Sequence, residues 1–432
     1  MIQKFRWILC GCCLGLLVLP RMAAGESSAV ESVTYRTITL QEAVRTALEA
    51  NLSIRVSRTE VLQAGADVIQ SKLIANPELV AETENFSGTG MFQNRDSMEQ
   101  SLVLSQEIEL GGKRKNRIVK ARVAETLKKL DLELDELSLC RDVALAFFDL
   151  LGWQERVKVL QDRSAIANEM AQTIKVRVEA GKVPHLESLR ASVLAESARL
   201  RLLEARNQMN VADLALQTLL GKGEEQLLRA TYRPIGRKDL SMDAGDWDSN
   251  AEDHPFVLRY LIIHDLREAE RKVARSLQYP DIVLSGGVRW FEESGDRAYL
   301  AGLSIGLPIL HRNQGEIARA DLELDRARLE VRARVLEIEK ERSRIRIGLD
   351  SSSEAMNAYQ TSILTQAEEA FQYARESYIA GKIGYVALLD AMNNLFEIRE
   401  AYVNVFIEYY NQRARAAFIT ADRDWFISEV EP

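Results

Sequence analysis

The long stretches without proline constrain this chain more than any other feature. Its 432 residues hold 8 prolines, and the stretches 78–183, 185–233 and 309–431 hold none. Proline breaks helix interiors and shapes turns. A compact α/β enzyme would need many more corners, with the Gly and Pro to make them. The expectation is long helices with few turns. Apolar residues make up 47%, charged residues 28% and aromatic residues 7%. That mix excludes a disordered chain and a polytopic helical membrane protein. A net charge of −8 argues against a nucleic-acid partner. Cys10, Cys12 and Cys13 crowd the N-terminus, leaving only Cys140 beyond. One thiol makes neither an internal disulfide nor a Cys-rich zinc site.

The first residues read as a targeting segment. Lys4 and Arg6 precede an apolar run of about 14 residues from Trp7 to Pro20, and Ala23, Ala24 and Gly25 follow. This is the order of a secretory signal peptide, residues 1–24, and the run is short for a membrane-spanning helix. A membrane anchor and a lipoprotein signal at Cys12 are the competing readings. Removal of Lys4, Arg6 and Arg21 would leave a mature charge of about −11.

The rest is a tandem repeat of about 200 residues. Asn51-Leu52 matches His254-Pro255, and Asn76-Pro77-Glu78-Leu79-Val80 matches Tyr279-Pro280-Asp281-Ile282-Val283, both at an offset of 203. Leu104-Ser105 matches Leu303-Ser304 at 199, and Ala180-Gly181-Lys182 matches Ala380-Gly381-Lys382 at 200. The repeats are expected at 25–220 and 251–432, with a Gly/Asp/Ser-rich connector at 221–250. Each should open with an amphipathic helical segment, about 40–75 and 253–277. Two strands follow, about 77–86 and 100–110 in the first repeat and 280–291 and 298–309 in the second. Long helices come next, about 113–179 and 185–220, then 313–379 and 384–425. Leu127, Leu130, Leu134 and Leu137 step by 3 and 4, and Leu322, Leu329 and Leu336 repeat every seven, as in coiled coils. A 67-residue helix is a rod of roughly 100 Å that needs partner helices along its length.

The short segments alternate with period two and have about the length of tilted transmembrane strands. Leu102, Leu104, Ile108 and Leu110 oppose Ser101, Ser105, Glu107 and Glu109. Ile282, Leu284, Val288 and Trp290 oppose Asp281, Ser285 and Arg289. Tyr299, Ala301, Leu303, Ile305, Leu307 and Ile309 oppose Gly302, Ser304 and Gly306, and Leu79 and Ala81 oppose Glu78, Glu82 and Glu84. Candidate lumen residues are therefore Ser105, Glu107, Glu109, Ser285, Arg289 and Ser304. Four strands cannot close a barrel, and lipid offers an edge no partner. Several copies must contribute strands: two give eight, three give twelve and room for a passage.

With these features in view, the chain resembles the TolC-like outer membrane factor family over nearly all of the mature sequence. The helix breaks Arg177-Val178-Glu179-Ala180-Gly181-Lys182-Val183 and Ser377-Tyr378-Ile379-Ala380-Gly381-Lys382-Ile383 carry the resemblance, the latter running on to Leu388-Leu389-Asp390-Ala391. Leu104-Ser105-Gln106-Glu107-Ile108-Glu109-Leu110-Gly111-Gly112-Lys113-Arg114 is similar to the branch serving cobalt–zinc–cadmium efflux. The resemblance implies a mainly α fold with a small β part. It implies a homotrimer in the outer membrane, with a 12-stranded β-barrel continued by an α-helical tunnel into the periplasm. It implies a periplasmic adaptor and a proton-driven inner-membrane pump of the RND type as partners. Ala180, Gly181, Lys182, Ala380, Gly381 and Lys382 would touch the adaptor, although other members carry Val-Gly-Leu there. Asp390 would line a periplasmic gate, with Glu187 a second candidate. Asn393 stands where some members have a second acid, which makes any ring weaker.

Other motifs carry less. Gly111-Gly112-Lys113-Arg114-Lys115 lacks phosphate-loop spacing. It reads instead as a strand-to-helix corner with cations at the membrane edge, and Trp290, Phe291 and Tyr299 as an interfacial belt. His185, His254, His264 and His311 are scattered. No catalytic set, cofactor or protein metal site is expected. A protein-secretion duct, a structural periplasmic coiled coil and an envelope enzyme are the competing functions.

Overall fold

The computed structural model describes residues 35–221, 226–232 and 251–427. The proposed signal peptide and most of the connector lie outside them. Strand β1 (Tyr35–Ile38) leads into α1 (Leu40–Ala50) and α2 (Leu52–Ser71). Strands β2 (Glu78–Glu84) and β3 (Glu99–Ile108) precede α3 (Lys113–Glu179) and α4 (His185–Leu219). After β4 (Leu227–Ala230), the second half runs α5 (Pro255–Ser276), β5 (Ile282–Phe291), β6 (Arg297–Ile305) and α6 (Gln314–Ala358). A π-helical turn at Tyr359–Ile363 separates α6 from α7 (Leu364–Ile379), and α8 (Tyr385–Ile419) and α9 (Asp424–Ile427) close the chain.

Several element boundaries differ from the sequence expectation, for local reasons. The first helical segment is two helices, because Asn51 leaves helical geometry (φ −63°, ψ 129°) and its side chain accepts from Ser53 N to start α2. Strand β3 stops at Ile108 because Gly111 and Gly112 turn the chain at φ 66° and 73°. Glu109 therefore lies beyond the strand, ion-paired with Arg117 at 2.5 Å, and leaves the lumen set. Strand β6 stops at Ile305, and the stretch through Pro308 runs as an irregular linker, since proline has no amide to donate. The helix expected over 313–379 is interrupted by the π-turn, and the last helix ends at Ile419 on a left-handed Ala421 (φ 55°). The connector holds an unforeseen strand. β4 pairs in parallel with β1, and buried Asp213 accepts from Leu228 N at 3.0 Å to hold it on α4.

The four long strands form one antiparallel sheet in the order β2-β3-β5-β6. Helices extend from one end of it. Near the sheet the helix order is α2-α3-α5-α6; toward the hairpin tips it is α4-α3-α8-α7. At all three levels one edge belongs to the first half and the other to the second. The main core lies midway, where Phe148 stacks on Tyr410 at 4.8 Å and Phe147, Tyr232 and Trp425 pack around them. Here α3 and α8 approach so closely that a Cβ at Gly152 would sit 2.1 Å from the Ile407 side chain.

Candidate functional site

The two tips are built alike. At the first, Gly181 sits at φ 67° and Lys182 N bonds back to Arg177 O at 2.9 Å; at the second, Gly381 sits at φ 70° and Lys382 N bonds to Ser377 O at 2.8 Å. Both are left-handed C-terminal closures that favour glycine. Ala180, Gly181, Lys182, Ala380, Gly381 and Lys382 are all exposed. Arg177 links the tips: it lies 4.8 Å over the Tyr378 ring and donates to Ile379 O at 3.2 Å.

The gate candidates separate. Asp390 is exposed on α8. Asn393, one turn on, accepts from Arg163 of α3 at 3.1 Å. It faces the seam between these helices and does not project with Asp390, because buried Arg163 demands acceptors there. Glu400 is the other acceptor, at 3.4 Å. Burial pushes the Arg163 guanidinium below its usual range, with Arg201 adding to the shift and Glu400 opposing it. Glu187 is half-buried beside Tyr385, and its Oε2 has no hydrogen-bond partner; neither have the hydroxyls of Tyr378 and Tyr385. Burial, then Tyr378 and Glu187, push the Tyr385 hydroxyl up to about 12. Sequence reasoning missed Arg163, Tyr378 and Tyr385. Tyr378, three residues before Gly381, was the readable signal.

Strand register gathers the remaining lumen candidates on one face. Ser105 pairs with Ser285, Glu107 with Val283, and Ser304 with Val283 from the other side. Arg289 pairs with Ser101, donates to its Oγ at 2.9 Å, and bridges Glu84 (3.0 Å) and Glu99 (2.8 Å) across three strands. The same face carries Glu78, Glu82 and Glu107. Five carboxylates against one guanidinium leave four net negative charges. The opposite face carries Leu79, Leu102, Leu104, Leu284, Tyr299, Leu303 and Ile305, all exposed. Among the described residues nothing covers the apolar face, and a bare apolar face this large marks a contact surface. Among the described residues no helix is long and apolar enough to cross a membrane, and no group of three His, Cys, Asp or Glu could hold a metal ion.

A bare amphipathic sheet set on rods made of paired helical hairpins defines a class of protein, the membrane channel component. The family profile described as "Outer membrane efflux protein" matches residues 43–222 and 257–420. The cobalt-zinc-cadmium resistance protein CzcC of Cupriavidus metallidurans is 30% identical over 91% of this chain and 90% of its own length. The nickel-cobalt-cadmium resistance protein NccC of Alcaligenes xylosoxydans xylosoxydans is 26% identical over 74% of this chain and 72% of its own. The fold of a solved structure of CusC, described with its transmembrane channel formation, superposes with a TM-score of 0.75 at 18% identity, covering 88% of this chain and 91% of that one.

The chain belongs to the outer membrane efflux protein family. It is an outer membrane efflux channel component whose helical part extends into the periplasm.

Proposed function

We propose that three copies close head-to-tail into a 12-stranded barrel and a continuous helical tunnel, and that the conduit exports heavy-metal cations. The observation that carries this reading is the pair of open edges. In the sheet the edges are β2 and β6, near it α2 and α6, and toward the tips α4 and α7. Strand direction alternates from β2 to β6, so β6 of one copy meets β2 of the next antiparallel. Different surfaces that meet in sequence around an axis form a closed ring. The helical edges are apolar: Val56 and Ile69 on α2, Leu322, Leu329 and Leu336 on α6, and Leu189, Val193, Leu200 and Leu203 on α4 are exposed in the single chain.

The polar face then lines the barrel. Four net negative charges per chain favour cations over anions, as charged rings do in other pores. The names of the two metal-resistance relatives agree with that cargo. The exposed tips, Ala180–Lys182 and Ala380–Lys382, offer the surface for a periplasmic adaptor that joins the tunnel to an inner-membrane RND pump. Asp390 and Glu187 stand close behind those tips as gate residues. The reaction is transport without chemistry: the residues position, attract and exclude.

The test is assembly followed by transport. Protein purified in detergent should have the mass of three chains, and a strain lacking the gene should lose tolerance to cobalt, zinc or cadmium. A monomer soluble without detergent would overturn the assembly. A trimer whose loss leaves metal tolerance unchanged would overturn the cargo.

A further inference from the structure

Four cations at the junction of sheet and rods have no carboxylate partner among the described residues. Lys72 ends α2, Arg114 and Lys115 lie in the first turn of α3, and Arg312 lies in the linker between β6 and α6. All four are exposed, and none makes an ion pair with a described residue. The neighbouring cations differ: Lys113 is held by Asp281 at 2.5 Å and Arg117 by Glu109 at 2.5 Å. Backbone carbonyls fix two of the unpaired groups at this level, since Arg114 Nε donates to Lys72 O at 2.8 Å and Arg312 Nε to Pro308 O at 3.1 Å. The acids nearby are few. Asp67 lies more than a turn back along α2, Glu109 is held by Arg117, Glu316 lies in the first turn of α6, and Glu78 lies on the polar face of the sheet.

The two groups of cations sit on opposite edges. Lys72 leads into edge strand β2, and Arg312 follows edge strand β6. In the head-to-tail ring, on which this inference rests, Arg312 of the next copy arrives beside Lys72 and Arg114. Like charges there repel unless an anion lies between them. The surroundings combine apolar and charged side chains. A cleft of about 590 Å³ between the end of α2 and the start of α3 is walled by Leu73, Ile74, Ala121 and Ala124, with Asp67, Glu109, Arg117 and Lys120 at its polar side. Across the seam come Leu307, Ile309 and Leu310, the last 90% exposed in the single chain. Cations beside an apolar groove, at the base of a lipid-facing sheet, match a phosphate headgroup with its acyl chains.

We propose that an anionic glycerophospholipid of the periplasmic leaflet occupies each seam between copies, its phosphate between Lys72 and Arg114 of one chain and Arg312 of the next. The lipid is then part of the assembled ring.

The test uses the full-length trimer in nanodiscs of phosphatidylcholine alone and of phosphatidylcholine mixed with phosphatidylglycerol. Phosphatidylglycerol should raise the dissociation temperature of the wild-type trimer by several degrees, and the double variant Lys72→Gln/Arg312→Gln should lose most of that shift. Arg319→Gln, an exposed arginine paired within α6, should keep it. Phosphatidylglycerol retained per trimer after delipidation should fall severalfold in the double variant, which is readable even if that variant assembles less well. A trimer with no phosphatidylglycerol shift, or a double variant with the full shift and full retention, overturns the site. The same shift from inorganic phosphate in pure phosphatidylcholine also overturns it, because the ligand is then not a lipid. A wild-type monomer, seen by mass before any lipid comparison, overturns the ring itself.

Discussion

The two hairpins share a tip and differ in what they hide. Under the second tip, α7 and α8 bury large side chains: Phe371, Tyr378, Tyr385, Leu388, Met392, Leu395 and Phe396. Against α3, helix α4 buries mainly alanines, namely Ala191, Ala195, Ala198, Ala205 and Ala212, while Leu186, Leu189, Val193, Leu200 and Leu203 stay exposed. Over most of its length helix α4 thus keeps its larger apolar side chains on its outer face and its small ones inside. Small residues let α3 and α4 approach closely, and they leave the leucines for another helix. The second hairpin fills its core with large side chains of its own chain; in the proposed ring the first would bury its leucines against a neighbour.

The largest expected effect tests that difference. Glutamates at Leu200 and Leu203 should abolish the trimer, leaving monomers by mass in detergent while the helix content by circular dichroism stays close to wild type. Fully burying an apolar side chain is worth ~1.5–3 kcal/mol, so a stripe of five supplies on the order of 10 kcal/mol per seam. The matched change on the inner face, Ala195→Glu, should instead unfold the hairpin. A trimer that tolerates both leucine replacements would mean that the α4 stripe faces solvent.

The next effect separates the halves by pH. Asn51 and His254 occupy equivalent repeat positions, and both cap a helix: Asn51 Oδ1 accepts from Ser53 N at 2.8 Å, and His254 Nδ1 from Phe256 N at 3.2 Å. Only the second cap titrates. Burial, with Arg342 beside it, lowers the His254 pKa to about 4, while the carbonyls of Phe418 and Ile419 pull slightly the other way. The unfolded chain takes up the proton near pH 6.5, and the folded chain resists it until about pH 4. The contribution of the neutral imidazole is therefore complete above about pH 6.5 and lost as pH falls toward 4. The loss is on the order of 3 kcal/mol. His254→Asn should flatten the dependence of thermal stability on pH in that window. An unchanged slope would place the acid sensitivity elsewhere.

How much of this was legible in the sequence depends on what fixed each feature. The rods were readable because helical periodicity and absent proline are local signals. The faces of the strands were readable because alternation survives any register. The β1–β4 pair was not, since two four-residue strands far apart in sequence carry no periodicity of their own. The π-turn was not, because Tyr359–Ile363 keeps helical composition. Glu109 was misplaced because alternation continues through Glu107 and Glu109 although the chain has already begun to turn toward Gly111. At the candidate gate, spacing placed Asp390 and Asn393 as neighbours. It could not show that Arg163, 230 positions earlier, would claim Asn393.

The tips should respond equally to substitution if geometry alone matters. A Cβ at Gly181 or Gly381 meets nothing within 4 Å, so valine at either is opposed only by the positive φ. That strain is roughly 1–2 kcal/mol, too little to dissolve the trimer. If an adaptor reads the tips, metal tolerance should fall in Gly181→Val and Gly381→Val at normal trimer yield. Unchanged tolerance in both, at equal protein level, would remove the tips from the contact.

The smallest effect concerns charge behind those tips. The repeat offset of 200 that relates Gly181 to Gly381 places Arg190 opposite Asp390, and both are exposed. Three copies would set a ring of guanidinium groups against a ring of carboxylates at one height. Each ring acts over a Debye length of about 8 Å at physiological salt, so the two largely cancel in the wild type. Asp390→Asn should then reduce cation preference in single-channel recordings, and Arg190→Gln should increase it, both most visibly at low salt. Reversal potential across a salt gradient reads the sign directly. The five-to-one excess of carboxylates on the polar face of the sheet is untouched by either change, so cation preference should persist in reduced form in Asp390→Asn. Equal reversal potentials in all three proteins at low ionic strength would place Asp390 and Arg190 on the outer surface of the tunnel, and leave selectivity to the barrel face around Arg289.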